Sequence, residues 1–211
     1  MNACIQFDLS GGQLKVEEKI FYFEELKREN TRQTFKIALQ RGKELDIKTF
    51  VVASTSGWTG VQAMKVFEGM NLIVVSHCYG SRQPNTWLFE DKNLRLLKDK
   101  GVPIVTAAHA FGGITRAMNQ MSITEAPSTY VIGDIVASTL RMFGQGMKVA
   151  CEIACMAADA GLVRCDEDII SMGGSGRVGG VDVAIVLTPA NSHRLFETRI
   201  KEILCKPRNI D

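Results

Sequence analysis

Several common chemistries are missing from these 211 residues. The six cysteines, at positions 4, 78, 151, 155, 165 and 205, include no CxxC pair. Cys151 and Cys155 stand four apart, but no second close pair completes a zinc set. The thiols are therefore read as reduced and mostly buried. Only three histidines occur, His77, His109 and His193, and no HExxH brings two together, so no metal site is expected. There is no GxxxxGK[ST] loop, no GxSxG elbow and no obvious carboxylate pair, which leaves the catalytic residues unassigned. No apolar run reaches the roughly 18 residues of a membrane span. The start MNACIQFDLSGG lacks a basic region followed by a hydrophobic one, so no signal peptide is expected and the cytoplasm is the default location. Basic residues are scattered and the formal charge is only +2, too little for a nucleic-acid surface.

What is present is an ordinary globular composition, 45% hydrophobic and 23% charged. Such a length suits one α/β domain over 1–211, with residues 1 to about 30 as an N-terminal extension packed on it. ACIQF at 3–7 reads as a strand or edge segment, and 16–29 has no clear period. Asn30 reads as an N-cap with Gln33 as its capping-box partner, opening a helix over about 31–45. Strand signals follow at 49–53, 71–76 and 102–107, separated by helical patterns at 58–69 and from Asp91 to Gly101. Continuous apolar strands between helices indicate a mostly parallel sheet covered on both faces, a three-layer α/β/α fold. Further helices are expected at 112–119 and from Pro127 to Phe143, a strand at 147–151 and an Ala-rich helix at 153–162. Strands at 168–172 and 181–187 and a terminal helix through Phe196, Ile200, Ile203 and Leu204 complete the pattern. The stripes on the helix 128–143 and the terminal helix suit either self-association into a homo-oligomer or burial in the core.

In a parallel sheet the carboxyl ends of the strands share one edge, where ligands bind. Three such ends are rich in small and polar residues. After strand 49–53 comes Ser54-Thr55-Ser56-Gly57-Trp58-Thr59, where hydroxyls and free backbone N–H groups meet a helix start. This turn suits a phosphate nest, and it equally suits a helix capped by Ser56. After strand 71–76 comes His77, and after 102–107 come His109, Phe111, Gly112 and Gly113. A histidine there can hydrogen-bond a ligand or move a proton, and Phe111 can stack on a planar ring. Glycine fills five of the eight positions 173–180. Gly174, Ser175, Gly176 and Gly179 spell a formal GxGxxG, but a strand follows where the dinucleotide fingerprint needs a helix. A tight connection or a loop approaching a ligand fits better.

Residues 50–76, FVVASTSGWTGVQAMKVFEGMNLIVVS, resemble the C-terminal domain of pyruvate kinase. Its Ser/Thr-rich turn holds the phosphate of a sugar-phosphate effector. GRVGGVDVAIVL resembles the glycine-to-strand ending of the same domain. Taken together, FYFEE, ENT, VVASTSGWTG, TAAHAFGG and MGGSGRVGGVD resemble stand-alone archaeal and bacterial proteins like that domain. Members of that group are associated with flavin mononucleotide (FMN). The resemblance implies an FMN site with phosphate at Ser54–Thr59, approached by Gly112, Gly113, Gly174, Ser175 and Gly176, with His109 or Arg116 at polar ring atoms. The chain shows no counterpart of the kinase's catalytic barrel, so its phosphoryl transfer is not expected. Trp58 stands where the kinase turn often carries a basic residue. Three functional readings remain: an FMN protein with a redox role, a non-catalytic sensor of a small phosphorylated ligand, or a subunit whose main role is assembly.

Overall fold

The structure is a computed structural model that describes residues 17–113 and 132–209. Strands β1 (Phe21–Phe23), β2 (Thr49–Ala53), β3 (Asn71–Ser76), β4 (Ile104–Thr106), β5 (Ile169–Gly173), β6 (Val183–Thr188) and β7 (Arg199–Pro207) form one sheet. Their order is β1-β7-β6-β5-β2-β3-β4. β4, β3, β2 and β5 run parallel, β6 is antiparallel to both β5 and β7, and β1 is parallel to β7.

The strands are apolar throughout because both sheet faces are covered. Along β2, Phe50 and Val52 point into one core and Val51 into the other. Helices α1 (Asn30–Glu44), α2 (Trp58–Val66) and α3 (Asp91–Asp99) cover the first face through Phe35, Ala38, Val61 and Leu97, with Phe67 at the C-cap of α2. Helices α4 (Ile132–Arg141) and α5 (Gln145–Asp159) cover the second through Ala137, Met147, Ile153 and Ala157. The α/β/α layering expected from the periodicity is therefore the fold. Helix α5 lies close on the sheet because its inner face is built of small residues. Ser171 of β5 donates to the Ala150 carbonyl at 2.7 Å. A Cβ on Gly173 would meet the Gly146 carbonyl oxygen at 2.3 Å. Among the described residues, no helix is long and apolar enough to cross a membrane.

Several elements differ from the sequence reading. Asn30 does not cap α1: Glu29 holds that position without a side-chain bond, and the Asn30 amide donates to the Glu25 carbonyl at 2.8 Å. Residues 147–151 are not a strand. They belong to α5, whose alanines, cysteines and apolar residues are buried almost all round. In place of the expected terminal helix, Phe196 lies in a short 3-10 helix (Ser192–Glu197) and Ile200, Ile203 and Leu204 lie in strand β7. Its helical spacing of apolar residues comes from two β-bulges: Ile200 and Glu202 face Leu187 and Val186, while Ile203 and Cys205 face Ile185 and Ala184. Each bulge inserts one extra residue and breaks the two-residue alternation that marks a strand. β1, unreadable by period, is a short edge strand added to β7. The expected strand at 3–7, the helix at 112–119 beyond Gly113 and the first part of the helix from Pro127 lie outside the described residues.

Candidate functional site

The carboxyl ends of β2, β3, β4 and β5 meet at one edge and open onto a cleft of about 460 Å³. Its floor starts at the turn after β2. The Ser54 N–H donates to the Val75 carbonyl at 2.9 Å, fixing the turn to β3. Ser54 Oγ accepts the Gly60 N–H at 3.1 Å, so Ser54 rather than Ser56 caps helix α2. The Ser56 carbonyl accepts the Glu90 N–H at 3.1 Å and Asn93 Nδ2 at 2.9 Å. At the N-cap, Gly57 has φ of 87°, and an added Cβ would come within 2.4 Å of the Phe89 ring. Only glycine suits that backbone and that space. The N–H groups of residues 55–59 find no protein acceptor among the described residues. They surround the positive end of the helix dipole, an arrangement that favours an anion.

An aromatic ladder braces the turn from below. Tyr79 stacks on Trp87 at 5.3 Å and Trp87 on Phe89 at 4.8 Å between ring centroids. Trp87 Nε1 donates to Ser76 Oγ at 3.2 Å and the His77 carbonyl at 3.1 Å, so the ladder also fixes the end of β3. Above the turn, the Arg28 guanidinium lies 3.8 Å from the centre of the Trp58 ring. A cation thus stands over the position where the sequence offers an indole.

The opposite wall comes from α5. Lys148 and Glu152 sit one turn apart, 5% and 2% exposed, and pair with each other. Glu152 also meets His109 Nδ1 at 3.3 Å and accepts the Phe111 N–H at 3.0 Å. Burial resists charge on Glu152, but the His109 hydrogen bond and the Lys148 cation prevail and hold its pKa at about 2. An ionised Glu152 can only accept, so His109 Nδ1 carries the proton. The imidazole lines the cleft, and its Nε2 is buried with no partner among the described residues. The His77 ring lies 4.7 Å from that of His109.

The glycine-rich connection from β5 to β6 closes the third side. Gly174, Ser175 and Gly176 line the cleft with Gly179 and Gly180. Val181, just beyond, is fastened to α1: its N–H donates to Thr31 Oγ1 at 3.1 Å and its carbonyl accepts from Thr34 at 3.3 Å. Asp182 follows, 3% exposed. Burial pushes its carboxyl pKa up to about 6 against the easing effect of the nearby Ser175 amide and hydroxyl. Neither Asp182 Oδ1 nor Ser175 Oγ has a well-aligned hydrogen bond among the described residues.

Most expected site residues converge here. Ser54, Thr55, Ser56, Trp58, Thr59, His77, His109, Gly174, Ser175 and Gly176 all line the cleft, with Gly57 shaping the turn beneath. Phe111, Gly112 and Gly113 do not. Phe111 is 4% exposed in the core, and the N–H groups of Gly112 and Gly113 turn back onto the His109 carbonyl. Arg116 lies outside the described residues. Sequence reading missed Arg28, Lys148, Glu152 and Asp182. Lys148 and Glu152 show the i, i+4 spacing of a helical ion pair, but that signal vanishes if 147–151 is taken as a strand. Asp182 stood out only as a lone charge leading an apolar run. Three of the thiols, Cys151, Cys155 and Cys205, are buried, and burial raises each to about 12. They are inert at neutral pH.

A family described as pyruvate kinase, alpha/beta domain, matches residues 32–187, from the first turn of α1 to the next-to-last residue of β6. That span contains the Ser/Thr turn, both histidines of the cleft, the buried ion pair and the glycine-rich connection. On this match the chain belongs to the pyruvate kinase alpha/beta domain family.

Proposed function

We propose that the cleft binds a phosphorylated planar ligand, FMN, with its phosphate at the turn after β2. The observation that carries this reading is the run of backbone N–H groups at 55–59, unpartnered among the described residues at the start of α2. The cleft also fits the rest of such a ligand. Among the described residues four cations line it, Arg28, Arg82, Arg141 and Lys148, against one carboxylate, Glu152. Arg28, stacked on Trp58, supplies a positive charge beside the turn. The volume is ample for a mononucleotide. Apolar groups from Val75, Leu88, Ile153 and Met156 suit a ring system. The chemistry such a group supplies is hydride or electron transfer. The chain's own part is to hold phosphate on N–H groups and hydroxyls and to present His109 Nε2, oriented by Glu152, to a ring N–H or a ribityl hydroxyl.

A visible spectrum of the purified protein, before and after incubation with FMN, tests the proposal. The expected result is flavin absorbance that is released on denaturation. A protein that stays colourless after incubation with excess FMN overturns it. Ser56→Asp places a carboxylate at the proposed phosphate position. It should weaken FMN binding by about tenfold or more, since a charge-assisted bond contributes roughly 1.5–3 kcal/mol. Thermal stability should be kept or raised, because an acid suits a helix start.

The excess of cations favours a second reading, a non-catalytic sensor of a metabolite with more than one phosphate. A colourless protein whose melting temperature rises with a sugar bisphosphate, but not with the free sugar, supports that alternative. Failure of NADH and NADPH to reduce bound FMN would limit the flavin reading to binding.

A further inference from the structure

Beside the phosphate cleft lies a smaller pocket of about 300 Å³. It is lined by Arg141, Gly144, Gln145 and Gly146 at the start of α5, by Ser175, Arg177 and Asp182 of the β5–β6 connection, and by Leu26 and Pro207. Arg141, Gln145 and Ser175 also line the main cleft, so the two spaces share a wall. Three observations converge in it. The fifteen-residue helix α5 has no side-chain cap at Gly144, and the Gln145 and Gly146 N–H groups have no acceptor among the described residues. Two guanidinium groups, Arg141 and Arg177, stand at the same opening. Asp182 is almost wholly buried, yet beside the nearby Ser175 its Oδ1 has no well-aligned hydrogen bond, and no arginine pairs with it among the described residues. Arg141 Nε is instead held by Gln145 Oε1 at 2.8 Å.

These groups make opposite demands. The helix start and the arginines favour an acid group. A bare anion, however, leaves the buried Asp182 oxygen unsatisfied and faces it with a like charge, both of which are costly. A ligand that meets all of them carries an acid group and a hydrogen-bond donor on the neighbouring atom. The small volume limits the rest of the molecule to a few atoms. We propose that this pocket is a second subsite for a small carboxylate bearing a hydroxyl or amino group next to the acid. Its carboxylate lies toward Arg141, Arg177 and the α5 amides, and its donor toward Asp182. The subsite stands on its own groups and does not require the neighbouring cleft to hold a flavin.

Calorimetric titration with glycolate, glycine and acetate tests it, with amide chemical shifts locating the binding. Acetate matches glycolate in charge but lacks the donor. The expected result is binding of glycolate or glycine about tenfold tighter than acetate, the worth of one hydrogen bond to a charged group. Whichever of the two binds more tightly tells a hydroxyl ligand from an amino one. Shifts should cluster at 145–146 and 175–182. Arg177→Ala removes an exposed side chain from a loop and should weaken all three ligands, while Asp182→Ala should abolish the preference over acetate. Equal binding of glycolate, glycine and acetate overturns the proposal, as does an absence of saturation or shifts confined to 54–59. Flavin absorbance is read separately. A colourless protein that still prefers glycolate retains this inference and loses the flavin reading, and a yellow protein with no such preference does the reverse.

Discussion

Gly57 and Ser54 show how single residues shape the turn after β2, the proposed phosphate site. Gly57 takes a left-handed backbone and leaves no room for a Cβ beside Phe89 and Asn93. Gly57→Ala adds about 1 kcal/mol of backbone strain. It also forces the ring away from a contact that would be 2.4 Å. A total loss of about 3 kcal/mol or more is expected in chemical denaturation, with ligand binding falling alongside it. Ser54 contributes the cap, and Ser54→Ala should cost about 1 kcal/mol. At this scale the sequence was partly legible. The hydroxyl-rich turn announced itself, but which serine caps the helix depends on a chain direction set by the bond from Ser54 to Val75. The aromatic ladder under Gly57 was not legible, because Tyr79, Trp87 and Phe89 lie in a loop with no period to read.

Among the elements, α5 carries the most. It lines the cleft with Lys148 and Glu152 while most of its surface is buried. Removing one member of a buried pair leaves the other charge uncompensated, so Glu152→Gln should destabilise by about 3–5 kcal/mol, measured by urea unfolding. It should also free His109 from its orienting partner. Lys148→Met combined with Glu152→Leu should recover part of that loss, since an apolar pair of similar volume avoids the desolvation. Glu152, held near 2, contributes stability that is complete above its ordinary value of 4.5 and is lost as pH falls from there toward 2. The sequence hid the first half of this helix because 147–151 reads as a short strand, while the Ala-rich stretch from 153 was read as helical and is so. It hid β7 for the converse reason: two bulges gave a strand the spacing of a helix. By contrast β2, β3 and α1 were plain: β2 and β3 are continuous apolar runs with polar boundaries, and α1 keeps one helical period.

At the scale of the whole molecule, four parallel strand ends place residues from 54, 77, 109 and 174 around one cleft. That convergence followed from the alternation of strands and helices and needed no contact information. The reversal of β6 was less legible. It returns the chain to the same edge and buries Asp182 there. Burial raises its folded pKa from 3.8 to about 6, so the fold takes up a proton more readily than the unfolded chain. Its contribution to stability is therefore greatest below pH 3.8, declines as pH rises toward 6 and stays low above that. Asp182→Asn should stabilise the protein by about 1–3 kcal/mol above pH 6, with the gain vanishing in acid, as read from melting curves across pH. The same connection is tied to α1 through Thr31 and Thr34, neither of which lines the cleft. The glycine-rich wall and the first turns of α1 are therefore expected to open together, as local unfolding commonly involves linked segments. Thr31→Val should speed amide exchange at 174–181 without altering a single group that faces the ligand. A threonine outside the cleft would in that way govern how long a ligand stays inside it.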